Sequence, residues 1–268
     1  MILNRMKIND RYDRRNRRSS AIVYITLRIS IIICMVSQLL SGDLNNAFLC
    51  AMTLALFTLP EILKRHLKME LPNLLESIIF IFIYASKILG EIYNFYGNIP
   101  HWDTMLHTIN GFLCAGIGFG LVDLLNRNSK KTNMSPIFVA FVACCFSVTI
   151  GTCWEIYEYG SDKLIRSDMQ KDSYLTDLST VKLNPEGLNK SVLINEIDHT
   201  IIYDKNGMEL AVIDNGYLDI GINDTMKDLI VNLIGAVIFS VLGYFYVLNR
   251  DKYKFTENFI PVATRKGR

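Results

Sequence analysis

The sequence lacks the short motifs that would announce a metal site, a disulfide framework or a nucleotide site. Its six cysteines include no C-x-x-C pair, and all lie in apolar segments, where they are expected to pack as small apolar side chains. It also contains no H-E-x-x-H helix, no EF-hand calcium loop and no glycine-rich phosphate loop. A zinc framework, a disulfide framework and a glycine-rich nucleotide site are therefore excluded.

Charge is scarce in six long apolar blocks of the chain. Hydrophobic residues make up 50% of the sequence, and they are gathered near 20–41, 44–60, 72–96, 102–125, 136–160 and 225–248. About 20 residues of helix cross the ~30 Å hydrocarbon core of a bilayer, and blocks of this length exceed a barrel strand. We therefore expect an all-α membrane protein, a six-helix transmembrane bundle whose second helix is the shortest.

Lysine and arginine are missing from alternate connections between these blocks. The connections 41–44 and 97–102 hold none, whereas the basic residues gather in 1–20, 61–70, 126–134 and the tail after 249. Positive charge stays on the cytoplasmic side of a membrane. We therefore expect a multi-pass membrane protein with both termini cytoplasmic. The predicted parts are a basic arm (1–19), five helices (20–160), an extracytoplasmic segment (161–223), a sixth helix (224–248) and a basic cytoplasmic tail (249–268).

The N-terminal arm and the aromatic residues fit this topology. No small-residue cleavage site follows the first apolar block, so it is predicted to be a membrane helix and not a signal peptide. The arm is expected to contact anionic lipid at the inner leaflet. It is short and has no interleaved aromatic residues, so no nucleic-acid partner is expected. Trp102 and Trp154 fall at the predicted outer boundary, where interfacial aromatic side chains belong.

The segment 161–223 departs from the rhythm of helices and short loops. Within it, TIIYDKNGMELAVI (200–213) predicts a β-hairpin closed by Asn206-Gly207 in a type I′ turn. The predicted register pairs Lys205 with Met208, Tyr203 with Leu210, and Ile201 with Val212. A lone hairpin is marginally stable in water, so it should pack on the helices or pair with a strand near 180–183. The segment is thus predicted to be a small β-containing extracytoplasmic cap between helices five and six.

Four of the predicted helices carry a stripe of polar residues, since residues three and four apart share a helix face. The stripes are Lys87, Glu91 and Asn94; Asp103, His107 and Asn110; Glu155, Glu158 and Asp162; and Asp224, Asp228 and Asn232. With the predicted topology, all four stripes lie at the outer end, and His107, Glu155 and Asp228 should each lie on the order of 5–10 Å below the boundary. Hydrogen bonding, ion pairing or capping explains any one stripe alone. Four at one depth indicate a functional site.

Carboxylates that converge at low dielectric need compensation. Either some of the acids are protonated or a cation lies among them. Oxygen ligands with one imidazole suit Mg²⁺, Mn²⁺, Ca²⁺ or Zn²⁺. We therefore predict a divalent metal ion of open identity, with Asp103, His107, Glu155, Glu158 and Asp228 as metal ligands. Of these, His107, Glu155, Glu158 and Asp228 are also predicted to be catalytic.

The order of these motifs resembles a known family. Asp-x₃-His followed by glycines (103–118), then WEIYEY, DMQ (168–170) and DTMKDLIVNLIGA (224–236), is similar to the YjdF-like family of bacterial inner-membrane proteins. That family is related to the VanZ-like group, named for a teicoplanin-resistance protein. The resemblance covers helices three to six. It implies a multi-pass bacterial membrane protein and no assigned reaction.

Three functions fit these features. The first is a metal-assisted enzyme acting at the outer leaflet on a lipid or lipid-linked envelope substrate, with membrane lipids as its partners. The second is a proton- or cation-coupled transporter whose acidic cluster is the coupling site, although no inverted repeat is visible and the acids lie near one face of the membrane. The third is a non-catalytic envelope or antibiotic-resistance factor whose cap binds a partner.

Overall fold

The computed structural model describes residues 2–67, 69–128 and 134–263. The helices are α1 (Ile2–Leu40), α2 (Leu44–Leu56), α3 (Leu59–Leu67), α4 (Asn73–Tyr84), α5 (Phe95–Asn98), α6 (Trp102–Asn128), α7 (Pro136–Ile165) and α8 (Ile222–Leu248). The strands are β1 (Met69–Glu70), β2 (Ser173–Leu175), β3 (Leu178–Thr180), β4 (Val192–Ile194), β5 (His199–Tyr203), β6 (Glu209–Asp214), β7 (Tyr217–Asp219) and β8 (Val262–Ala263). Helix therefore dominates the part of the chain that the structure covers.

Five helical stretches among the described residues are long and apolar enough to cross a membrane. They are Ser20–Leu40, Leu44–His66, Trp102–Asn126, Pro136–Ile165 and Ile222–Leu248. These spans confirm that the protein is embedded in a membrane. The predicted count of six is not confirmed. Where the third block was expected, the 12-residue α4 is followed by a π-helical segment, Ala85–Ile92, and then by the four residues of α5.

The chain divides into two compact units. The first contains residues 1–151 and 230–268, and the second contains residues 152–229. Both boundaries fall within long helices, since α7 and α8 each run without interruption through the residue where the units divide. Several predicted basic positions, namely Lys68, Lys130, Lys131 and the tail from 264 to 268, lie outside the described residues.

One apolar core of the first unit forms where α1, α2 and α4 meet. Leu75 and Ile31 are completely buried there. Three aromatic rings stack in the same core, with the centroid of Phe80 5.0 Å from that of Tyr24 and 5.1 Å from that of Phe57. Such clusters of aromatic and aliphatic side chains hold the first helices together by dispersion contacts.

The second core of this unit depends on glycines that let α6 and α8 approach closely. A Cβ atom at position 111 would lie 2.0 Å from the carbonyl oxygen of Asn232, and one at position 235 would lie 2.0 Å from that of Thr108. Small residues at a helix interface permit this contact inside a membrane. Phe119 and Phe239 fill the core beyond this crossing.

The second unit contains three two-stranded antiparallel sheets, which pair β2 with β7, β3 with β4, and β5 with β6. The β5–β6 hairpin lies where the sequence placed it, and its Ile201–Val212 pair is confirmed. The predicted Tyr203–Leu210 pair is wrong, because a bulge after Ile202 sets Tyr203 opposite Glu209. The expected partner strand near 180–183 is also wrong, since β3 pairs with β4 instead.

The turn of this hairpin differs from the prediction as well. The N–H of Asp204 donates to Met208 O at 2.9 Å, so three residues form the loop and Lys205 does not pair with Met208. Gly207 has a φ of +82°, whereas Asn206 is not among the residues with positive φ. A type I′ turn needs positive φ at both central residues, and a three-residue loop needs it only at the last. The carboxylate of Asp204 fixes this loop by accepting from the N–H groups of Asn206 and Met208.

Candidate functional site

The first turns of α6 hold the acid and the histidine that the sequence singled out. Asp103 lies in the first turn, where the unpaired N–H groups at a helix N-terminus favour a carboxylate. His107 follows one turn later on the same face, and its Nε2 lies 3.5 Å from Asp103 Oδ1. The histidine is buried and the aspartate is partly exposed. The pair is the arrangement in which a carboxylate orients an imidazole for ligand binding or proton transfer.

A buried polar junction joins α6, α7 and α8 within the first unit. Asn110 Nδ2 donates to Asn232 Oδ1 at 3.2 Å, and Asn232 Nδ2 lies 3.5 Å from the carbonyl oxygen of Ser147. Ser147 Oγ donates to Gly111 O at 2.7 Å. A Cβ at position 151 would meet Asn232 Nδ2 at 2.5 Å, so the glycine makes room for the amide. The polar stripes that the sequence predicted on its fourth and sixth helices lie on α6 and α8. They face each other at Asn110 and Asn232.

The second unit contains both glutamates of the predicted site. Glu155 and Glu158 lie in the last part of α7, and their exposed fractions are only 4% and 7%. Glu158 Oε1 accepts a 2.7 Å hydrogen bond from Trp154 Nε1. The indole is a donor only, so this bond fixes the direction of the carboxylate. Sequence analysis gave Trp154 an interfacial role and missed this bond, although the i, i+4 spacing of the two residues would have indicated it.

Asp228 is the most deeply buried acid of the second unit, with an exposed fraction of 1%. Lys227 Nζ lies 3.9 Å from Asp228 Oδ1 and 3.4 Å from Asp224 Oδ1. Asp219 Oδ2 accepts from the N–H of Asn223 at 2.9 Å. This hydrogen bond satisfies a backbone donor in the first turn of α8. The amine of Lys227, 46% exposed, can supply only part of the compensation that a carboxylate as buried as Asp228 requires.

Two further acids of the predicted stripes, Asp162 and Asp224, hold a loop of the second unit. Asp162 accepts from the N–H groups of Met169 and Gln170 at 2.7 and 2.8 Å. Asp224 accepts from the N–H of Lys171 at 2.9 Å. These carboxylates satisfy backbone donors that no strand or helix satisfies. Their contacts in the structure are therefore those of loop anchors, which periodicity alone could not distinguish from ligands.

Lys87 and Glu91 form an ion pair along the π-helical segment of the first unit. Lys87 Nζ lies 3.7 Å from Glu91 Oε1, and Lys87 is buried whereas Glu91 is partly exposed. This is the i, i+4 pair that the sequence spacing allowed. A π-helical turn widens the helix and often occurs where a residue has a functional task.

Taken together, the spans and these buried polar groups define an integral membrane protein with an Asp–His pair at the start of one membrane helix. Its residue types at Asp103, His107 and Asp228 are ones that can hold a divalent metal ion. Residues 22–249, well over half of the chain, match the family described as predicted membrane protein (DUF2238). The chain belongs to that family.

A more distant relative is an uncharacterised protein of Thermotoga maritima. The two are 26% identical over 108 residues, which is 40% of this chain and 53% of the Thermotoga protein. The chain thus spans about half the length of that relative. No solved structure matches the chain. The comparisons confirm the expected family of uncharacterised membrane proteins, while the YjdF-like and VanZ-like naming stays a prediction.

Proposed function

We propose that this protein is a metal-assisted membrane enzyme that acts on a lipid or lipid-linked envelope substrate. The observation that carries the proposal is the buried junction of Asn110, Ser147 and Asn232, through which α6, α7 and α8 present polar faces to one another. Polar groups at a shared helix interface inside a membrane are costly unless they have partners or a task.

Each of the three helices carries an ionisable residue about one turn beyond this junction. His107 precedes Gly111 by four residues on α6, Glu155 follows Gly151 by four on α7, and Asp228 precedes Asn232 by four on α8. A helix rises about 5.4 Å per turn and repeats its face after three to four residues. The sequence therefore places His107, Glu155 and Asp228 on the same helix faces as the junction residues Gly111, Gly151 and Asn232.

The ligand set that best fits a divalent ion is Asp103, His107 and Asp228, each of which offers a carboxylate oxygen or an imidazole nitrogen. Two carboxylates and one imidazole suit a hard or borderline ion such as Mg²⁺, Mn²⁺ or Zn²⁺. Such an ion polarises a phosphate or acyl oxygen and lowers the pKa of a bound water. Glu155 and Glu158 then serve as the acid and base, with Glu158 held in place by Trp154.

The proposal places this chemistry at the extracytoplasmic end of the helices, in a bacterial inner membrane with both termini cytoplasmic. The support is the alternation of basic and uncharged connections in the sequence. The segment Asn73–Ile92 then forms the remaining span, and the protein is of the YjdF-like or VanZ-like kind.

Cysteines at positions 191 and 129, made as Ser191→Cys and Ser129→Cys, should label from opposite sides with an impermeant maleimide. Labelling of Ser129→Cys in intact cells would contradict the topology.

The direct test of the proposal is the metal content of the purified protein. After dialysis against trace divalent ions, wild type should retain about one ion per chain, and His107→Ala should retain almost none. His199→Ala, a histidine on the exposed β5 strand, is the matched control and should retain the ion. A wild-type protein without bound metal, or equal metal in all three proteins, would overturn the proposal.

A coupled transporter is the second function that an observation favours. The π-helical segment Ala85–Ile92 is the kind of helix irregularity that carriers use, and it bears the buried Lys87. In proteoliposomes, a carrier would move protons or cations across the bilayer, and Lys87→Met would stop this movement. Tight vesicles that remain tight with wild-type protein would favour the enzyme.

A further inference from the structure

A groove on the first unit lies apart from every residue of the proposed metal site. It has a volume of about 360 Å³ and is lined by seven residues of α1 together with Tyr93. That volume is within the range of ~300–1,000 Å³ that small-molecule sites occupy. Its α1 residues follow one face of the helix, because Thr26, Ser30, Ile33 and Ser37 recur at three- and four-residue intervals.

The groove opens sideways from a membrane-spanning helix. It lies within the span Ser20–Leu40, in which only 17% of the most apolar window is buried inside the protein. Ile29 and Ile33, which line it, are 52% and 64% exposed. Inside a bilayer such a surface meets hydrocarbon, so the material that reaches the groove is lipid or another membrane helix.

The lining changes character along α1. Ile29 and Ile33 form the deeper part, while Ser37, Gln38 and the phenol of Tyr93 form the part next to the end of the helix. From residue 29 to residue 38 the helix rises about 13 Å, close to half of the ~30 Å hydrocarbon thickness. The groove therefore spans about one leaflet. Ile29 and Ile33 supply apolar surface at depth, where Thr26 and Ser30 also line it, and hydrogen-bond donors lie next to the end of the helix.

We propose that this groove binds one amphipathic lipid, with its chain along Ile29 and Ile33 and its headgroup oxygens hydrogen-bonded to Ser37, Gln38 and Tyr93. The hydroxyl, amide and phenol groups donate to phosphate, ester or sugar oxygens and carry no charge. Their neutrality makes the headgroup oxygens, and not a net negative charge, the feature that is recognised. Ser30, deeper in the groove, is already engaged with the hydroxyl of Tyr84 at 2.9 Å.

The groove and the Asp103–His107 pair belong to the same end of the first unit. Tyr93 precedes Asp103 by ten residues, and the intervening chain is only the short α5 and its turns. A headgroup held by Tyr93 is therefore at the level at which α6 begins. Resting on the proposed function, the lipid in this groove is the substrate or its lipid anchor.

The test uses the full-length protein in nanodiscs that contain a phosphatidylglycerol with a photoactivatable diazirine in one acyl chain. After illumination, the labelled residues are mapped by mass spectrometry. We expect labels to concentrate at Ile29 and Ile33, well above those at Ile22 and Ile25, which are equally exposed on α1. Labels spread over α1 in proportion to exposure would overturn the proposal.

A filling variant and a matched control decide whether the groove itself is responsible. Ile33→Trp should lower labelling at Ile29 about fivefold or more, because the indole occupies the space of the chain. Ile32→Trp adds the same ring at an exposed neighbour that does not line the groove, and it should leave labelling unchanged. Equal losses in both variants, or cross-links at Ile33 to a second copy of the chain in place of lipid, would contradict the lipid site.

The metal site and the groove can fail separately in this design. His107→Ala should lose the metal yet keep the labelling pattern, because labelling needs no turnover. Groove-specific labelling in a protein that binds no metal would leave the lipid site standing and end the proposed enzyme function. Uniform labelling in a protein that binds metal would end the lipid site and leave the proposed enzyme function standing.

Discussion

The two ends of α6 each place an aspartate in a membrane protein, but they compensate its charge in different ways. Near the last turns, Asp123 is 4% exposed, and Arg250 Nη2 donates to its Oδ1 at 2.9 Å. The guanidinium also lies over the ring of Tyr246, with 4.9 Å from Cζ to the centroid. Near the first turns, Asp103 faces the imidazole of His107 at 3.5 Å.

The difference between arginine and histidine separates the tasks of the two ends. An arginine stays charged at every pH that a protein experiences, so the Asp123–Arg250 pair is complete within the chain. A histidine is neutral for much of the physiological range and is the commonest metal-binding side chain. The Asp123 end is therefore a closed ion pair, whereas the Asp103 end carries residue types that could hold a metal ion.

The largest effect expected to distinguish the two ends is the change in the free energy of unfolding when metal binds. At a free metal concentration of a thousand times Kd, binding should raise the free energy of unfolding by about 4 kcal/mol, and a chelator should remove that gain. Asp228→Asn should abolish the response, because it removes a proposed ligand. Asp123→Asn should keep it. Thermal unfolding in detergent with and without chelator measures both, and a response lost equally in the two variants would remove the distinction.

A smaller effect is expected from breaking the structural pair itself. Asp123→Ala leaves Arg250 beside an apolar helix interface without its carboxylate, and it should cost about 3 kcal/mol, the low end for a broken buried pair because Arg250 is partly exposed. Asp251→Ala, an exposed neighbour, is the control and should cost almost nothing. Denaturant titration in detergent gives both values. Metal content should stay at the wild-type level in each variant. Loss of metal in Asp123→Ala would contradict the independence of the two ends of α6.

The helix crossing between these two ends supplies the next prediction. Gly111→Ala forces a methyl group against the carbonyl oxygen of Asn232, so α6 and α8 must separate, at a cost of about 1–2 kcal/mol. Gly160→Ala is the matched change on α7, where a Cβ would meet nothing within 4 Å. That variant should be neutral or gain up to about 1 kcal/mol from helix propensity. Equal effects in the two would show that the close approach at Gly111 is unimportant.

Much of the fold could be predicted because hydrocarbon thickness fixes the length of an apolar block. The five spans agree with five of the six blocks read from the sequence. The third block is not confirmed as a span, because composition does not reveal helix type: π-helical turns around Lys87 follow α4 within what the sequence presents as one continuous helix. Periodicity also predicted which face of α6 and α8 is polar, and the Asn110–Asn232 bond agrees with it.

The site was predictable only in part, because a helical pattern gives the face of a residue and not its partner. Asp162 and Asp224 share that pattern with Glu155 and Asp228, yet they bind backbone N–H groups of a loop. Ser147 is a small polar residue in an apolar run. Nothing in the sequence indicated that its carbonyl oxygen would accept from Asn232 Nδ2 or that its hydroxyl would donate to Gly111 O. Such contacts depend on loops and on helix pairing, which one sequence does not specify.

The smallest expected effect lies in the second unit and concerns a carboxylate that is exposed to water. The N–H of Met208, assisted by donors of Asn206, holds the pKa of Asp204 below its ordinary value of 3.8. A carboxylate whose pKa is depressed in the folded state contributes its full stabilisation of the loop when the pH is above its ordinary pKa. This contribution is lost as the pH falls through the depressed pKa. Asp204→Asn should therefore speed amide exchange at Met208 a few-fold at neutral pH, and the gap between variant and wild type should close as the pH falls through the depressed pKa of Asp204. Comparison at equal pH cancels the intrinsic exchange rate, and Asp214→Asn on the exposed end of β6 is the control. A gap that persists unchanged in acid would show that the shape of the asparagine, and not the charge of Asp204, sets the stability of the turn.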